Sequence, residues 1–140
     1  MKNVILSLED HNIYIPKGYN LSDAATYMSL VTAWAYKRNF LETSFYKSND
    51  FEKQFDNMVN KEIPIIQFVT NTLHGKLNEE DFIPSLREFV SDYVETGVFY
   101  KQVCLYFNIS NIFELTKDWE QCSLFIPEIE SHYLDVKDNY

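Results

Sequence analysis

The side chains of this 140-residue chain that can carry chemistry are 3 His, 2 Cys and 21 carboxylates. His11, His74 and His132 stand far apart and in no HExxH or HxH arrangement. A metal centre or a general base built on them would therefore need long-range convergence with a positioned partner. His132 precedes Asp135 by three residues, a spacing that a helix turns into neighbours, and a surface hydrogen bond explains that pair as well as catalysis does. Cys104 and Cys122 lie eighteen positions apart with no CxxC spacing, which points away from a disulfide framework and from a zinc ribbon. Cys104 sits among Val103, Leu105 and Phe107, and a cysteine in apolar surroundings is inert rather than nucleophilic. There is no GxSxG, no P-loop and no GxGxxG, and 3 glycines leave little material for a phosphate-cradling loop. No catalytic residue, metal ligand or cofactor is assigned.

The carboxylates are different, because their placement is uneven. Residues 1–70 hold 7 Lys/Arg against 8 Asp/Glu, and residues 71–140 hold 5 against 13, within a net charge of -9. Glu79, Glu80 and Asp81 open this acidic half, and Glu88, Asp92 and Glu95 follow at i, i+4 and i+7, one stripe of a helix. Each like-charge i, i+4 pair costs about 0.2–0.5 kcal/mol, so helix stability alone does not favour the stripe. Two uses fit: an ordinary solvated face with a helix-start dipole effect at 79–81, or a surface for a cationic partner. A field of this sign repels phosphate backbones and anionic lipid and attracts basic proteins. The partner-binding candidates are thus Glu79, Glu80, Asp81, Glu88, Asp92 and Glu95, with no nucleic acid and no membrane as partner.

These residues need helices to position them. Ser22 is an N-cap candidate for a helix over 22–39, where Tyr27, Met28, Leu30, Val31, Trp34 and Ala35 cover more than one stripe, as in a central helix contacted on several sides. A second helix runs from Asp50 to Asn60 with Phe51, Phe55, Met58 and Val59 on one face. Pro64 and Gly75 bracket a third over 64–74. Asn78 with Asp81 resembles a cap, and Leu77 with Phe82 a hydrophobic staple. From Ser85 to Thr96 the residues Leu86, Phe89, Val90, Tyr93 and Val94 keep a helical period opposite Glu88, Asp92 and Glu95, and Gly97 ends the element. Val98–Phe107 reads as a further helix. Asn111 with Glu114 caps another, which carries Ile112, Leu115, Trp119 and Cys122 on one face. Pro127 separates it from a last helix with Ile129, Tyr133 and Val136 inward. The first twenty residues, with alternation at Ile13 and Ile15 followed by Pro16 and Gly18, read as irregular or strand-like.

The expected fold is mostly α, a single compact domain over 1–140 of about six or seven helices with an irregular or short β N-terminal segment. A chain of this length buries about 68–70% of its unfolded surface, enough for a core without staples. The patch Val4–Leu8 is too short for a signal peptide core, and nowhere do 18 apolar residues run together, so a reduced, cytoplasmic location is expected. The 23 aromatic residues are mostly core, yet an exposed subset such as Tyr106, Tyr133 or Tyr140 would suit a binding hot spot.

Four ordered segments carry a family likeness: Ala24–Met28 through Ala33-Trp34-Ala35; Gly75-Lys76-Leu77 with Glu80-Asp81-Phe82; Phe89, Tyr93 and Tyr100; and Asp118, Trp119, Pro127, Ile129 and Tyr133. On these the chain resembles an uncharacterised family of small bacterial helical proteins that accompany polymorphic toxin systems and are regarded as immunity-like. Tyr27 stands where that family tends to have His, His74 where it tends to have Asp, and residues 11–18 reproduce its opening motif poorly. The resemblance therefore implies the fold more than any site. Together with the acidic half it implies an immunity protein that binds a cognate toxin, a basic nuclease or other basic effector domain, and occludes it stoichiometrically, rather than an enzyme. The alternatives are a small hydrolase with a concealed carboxylate and histidine site, and a self-associating structural protein.

Overall fold

The computed structural model describes residues 4–8, 15–48 and 50–140, and it is mostly helical. At its centre lies α1 (Ala25–Lys37), in which every residue from Ala25 to Ala35 is buried. Such a helix has no solvent stripe, which is why its apolar residues show no clean period. Its three buried Ser and Thr residues are compatible with this because the backbone satisfies two of them directly: Ser29 donates to the Thr26 carbonyl at 2.6 Å and Thr32 to the Met28 carbonyl at 3.0 Å. The helix is preceded by a 3-10 turn over Leu21–Ala24 whose cap is Asn20 rather than Ser22. The Asn20 N–H donates to the Asp23 carboxylate at 3.0 Å, while the Ser22 hydroxyl donates to the Asn20 side chain.

Around α1 the chain winds through α2 (Thr43–Ser48), α3 (Phe51–Val59) and α4 (Ile65–Phe68). Helix α3 buries Phe51, Phe55 and Met58 as its period requires, but Val59 at its last position is exposed. The helix expected over 64–74 divides in two. Pro64 caps α4, and from Val69 to Leu73 the coil widens to a π-helical turn that closes on His74 in the left-handed region, φ 54°. Gly75 continues with φ 75°, and strand β2 (Lys76–Asn78) follows at once.

The β component is real but sits elsewhere than the alternation suggested. Strand β1 is Val4–Ser7, paired antiparallel with β2 through Leu6↔Leu77 and Ser7↔Lys76, with a register irregularity between Val4 and Leu6. Ile13 lies outside the described residues, and Ile15 belongs to no strand.

Helix α5 (Pro84–Glu95) takes Pro84 in its first turn and ends at Gly97, whose φ of 85° permits the reversal into α6 (Val98–Phe107). Asn111 and Glu114 form their capping box, but around a single 3-10 turn, Ile112–Glu114. Helix α7 (Trp119–Cys122) starts afresh from the Asp118 cap. So Ile112, Leu115, Trp119 and Cys122 are all buried without sharing one helix. Pro127 does not separate elements. A 3-10 turn over Ser123–Phe125 leads directly into α8 (Ile126–Val136), where Pro127 occupies the first turn and breaks no hydrogen bond.

One continuous core joins these elements. Helix α8 packs on α1, and the indole N–H of Trp34 donates to Glu130 at 2.9 Å. Glu130 also pairs with Arg38 at 3.0 Å, and the guanidinium lies 4.9 Å from the centre of the Phe40 ring. Among the described residues, no helix is long and apolar enough to cross a membrane.

Candidate functional site

Helix α5 positions the acidic stripe. Leu86, Phe89, Val90, Tyr93 and Val94 anchor it to the core, which fixes the opposite face outward with Glu88, Asp92 and Glu95 exposed. The C-terminal turn folds back beside this face. Tyr140 donates its hydroxyl proton to Asp92 at 3.0 Å and sets its ring against Phe89, the centroids 5.8 Å apart. Partial burial first, and then Asp92 and Glu88, hold the Tyr140 phenol above its ordinary pKa. The residue nevertheless stays 46% exposed, an aromatic group standing beside an acidic surface.

The other three candidate carboxylates behave differently. Glu79, Glu80 and Asp81 form one 3-10 turn. Asp81 does not belong to the outer surface: it is 5% exposed, and its carboxylate accepts the Asn78 N–H at 2.8 Å as the second half of a capping box. The two roles assigned to this residue compete, and closing the turn takes the carboxylate that a partner would need. Glu79 and Glu80 are half-buried. The exposed acidic stripe therefore runs from Glu88 to Glu95, with Asp81 withdrawn from the surface and Glu79 and Glu80 reaching it in part.

Beside α5, helices α6 and α8 frame a cleft of about 420 Å³ whose lining includes Gln102, Leu105, Tyr106, Glu128, His132 and Asp135. A polar chain crosses its base. Tyr93 donates to the Gln102 carbonyl oxygen at 2.6 Å, which turns the Gln102 amide nitrogen toward His132 Nδ1, 3.4 Å away. In this orientation of the Gln102 amide, Nδ1 accepts and the ring proton sits on Nε2. The His132 ring stacks on Tyr93 at 4.7 Å between centroids. Burial lowers its pKa, and the Asp135 carboxylate opposes that shift. Burial also pushes the Tyr93 phenol well up, helped by Glu128.

The remaining reactive residues stand apart. His11 lies outside the described residues, and His74 is exposed at the end of the π turn. Tyr27 is buried and stacked on Phe99 at 4.4 Å. Cys104 is half-buried, its thiol raised by burial and then by Glu114, and Cys122 is pushed up to about 12, so both move away from thiolate character. No group of three or more His, Cys, Asp and Glu among the described residues is arranged to hold a metal. Of the aromatics considered as anchors, Tyr106 and Tyr140 are exposed, while Tyr133 is half-buried against Trp34, Phe40 and Phe89. Sequence reading missed the cleft. Glu128, His132 and Asp135 do share a helical face at i, i+4 and i+7, but Gln102 and Tyr93 reach it only through tertiary packing.

Residues 10–115 match DUF7832, a domain of unknown function. The chain belongs to that family. The matched segment includes α5 and α6, whereas α7 and α8 follow it. No curated protein and no solved structure is detectably similar to the chain.

Proposed function

We propose that this chain is an immunity-type protein that binds a basic toxin or effector protein and blocks it stoichiometrically. The observation that carries the reading is Tyr140, an exposed aromatic side chain held by Asp92 within the outward face of α5. Exposed carboxylates speed the encounter with a basic surface, and an aromatic anchor of fixed orientation supplies affinity at low entropic cost. The resemblance to toxin-associated helical proteins points the same way. Co-expression with the toxin-like product of the neighbouring gene tests it: the two should copurify, and the chain should rescue growth. Rescue without binding, or binding that persists unchanged when Glu88, Asp92 and Glu95 are all replaced by Lys, overturns the mechanism.

A hydrolase reading has one observation in its favour, a histidine in a cleft that also holds carboxylates. General-base chemistry asks for an imidazole oriented by an acceptor and free at its other nitrogen. Here His132 Nδ1 faces an amide donor instead of a carboxylate, so Asp135, whose charge raises the imidazole pKa from nearby, does not orient the ring through that nitrogen. Self-association is tested by sedimentation at several dilutions, where an oligomer that dissociates readily argues against a structural assembly.

A further inference from the structure

The α6–α8 cleft is chemically unlike the acidic face beside it. Glu128 and Asp135 enter its lining from the same helix, seven residues or about two turns apart, which sets their Cα atoms roughly 10 Å from each other. Neither forms an ion pair among the described residues. His132 lies between them with its pKa lowered by burial, and no Lys or Arg enters the lining beside the two carboxylates. The α6 wall is Leu105, 72% exposed, and Tyr106, 46% exposed. Tyr106 packs edge-on to Phe125 at 5.5 Å, which fixes the plane of its ring from the core side.

A hollow that combines carboxylates, an oriented aromatic ring and an apolar wall suits a guanidinium. Its plane stacks on an aromatic face, its fork donates two parallel hydrogen bonds to one carboxylate, and its methylene stem covers apolar surface such as Leu105. A lysine ammonium is compact, more strongly hydrated and unable to donate as a fork, so it fits less well. A metal ion is a poor occupant, because carboxylates two turns apart do not converge on one centre and His132 Nδ1 already faces the Gln102 amide.

We infer that this cleft seats an arginine side chain presented by the basic protein partner. The inference rests on the reading above only for who supplies that arginine. The probe is N-acetyl-arginine methylamide, titrated into the 140-residue chain and followed by heteronuclear NMR. Saturable shifts at Gln102, Tyr106 and His132 are expected, weaker with the lysine analogue and absent with the neutral citrulline analogue of nearly the same shape. Glu128→Gln with Asp135→Asn should weaken the arginine probe about ten-fold or more while circular dichroism stays unchanged, as expected for the loss of charge-assisted bonds. Asp56→Asn, on the distant α3, should change nothing. Equal shifts from arginine and citrulline, or no saturable shift in the cleft, overturn the inference even if a basic effector copurifies. Saturable, carboxylate-dependent arginine shifts uphold it even if the neighbouring toxin does not bind, in which case it is the toxin reading that fails.

Discussion

Helices α1 and α5 differ by a single residue in length, 13 against 12, yet they occupy opposite positions in the molecule. From Ala25 to Ala35 α1 has no solvent side, whereas α5 has a buried stripe and an exposed acidic one, with Arg87, paired to Glu42, and Ser91 half-buried between them. The difference teaches where function can reside. A helix enclosed on every side can change only at the expense of the core, while one with a fixed inner face is free to carry charge outward without disturbing what holds it.

The division is open to four tests. Trp34→Ala in α1 should cost the most, about 3–5 kcal/mol of unfolding free energy, because it opens a cavity and strips Glu130 of the indole donor. Urea denaturation measures it, and Trp34→Phe should recover most of the packing but not the hydrogen bond. On α5 the expected effects are inverted. Replacing Glu88, Asp92 and Glu95 together by Lys should leave stability within about 0.5 kcal/mol per site, yet slow association with a basic partner by about ten-fold or more at low salt. Stopped-flow association rates read this, and a large stability loss would show that the stripe is structural. At the α5–α6 junction, Gly97→Ala should cost about 1–2 kcal/mol, purely from backbone strain at φ 85°, since nothing lies within 4 Å of the added methyl.

The smallest effect concerns pH. Burial lowers the folded-state pKa of His132, and Asp135 only partly offsets it. The unfolded chain thus takes up a proton that the folded chain resists, and stability should fall as pH drops below about 6.5, levelling off once the folded imidazole is also protonated. His132→Gln should flatten urea midpoints across that window. An unchanged slope would mean that the ring is freely solvated in the folded state.

The same contrast decides how much could be read from the amino-acid order. The α5 stripe was legible because Leu86, Phe89, Val90, Tyr93 and Val94 alternate with charge at a helical period. In α1 that signal is absent, and its interior place follows from apolar residues, Tyr27, Met28, Leu30, Val31, Trp34 and Ala35, spread over more than one stripe. Caps built from neighbouring residues, such as Asn111 with Glu114, were also legible. Features that join distant segments were not. Strand β2 has three residues and exists because β1 pairs with it, and Gln102 gains a role only when α6 meets Tyr93 and His132. Asp81 shows a further limit: its local sequence supports both a cap and a surface charge, and only the folded geometry chooses between them.

The Trp34–Glu130 hydrogen bond bears on where this protein can be cut. It fastens the innermost helix to one that begins after residue 115, where the family match ends. Trimming the chain to the recognised segment would remove α8 from α1 and Tyr133 from Trp34, and turn an enclosed helix toward water. Such a fragment, residues 10–115, should be insoluble on its own.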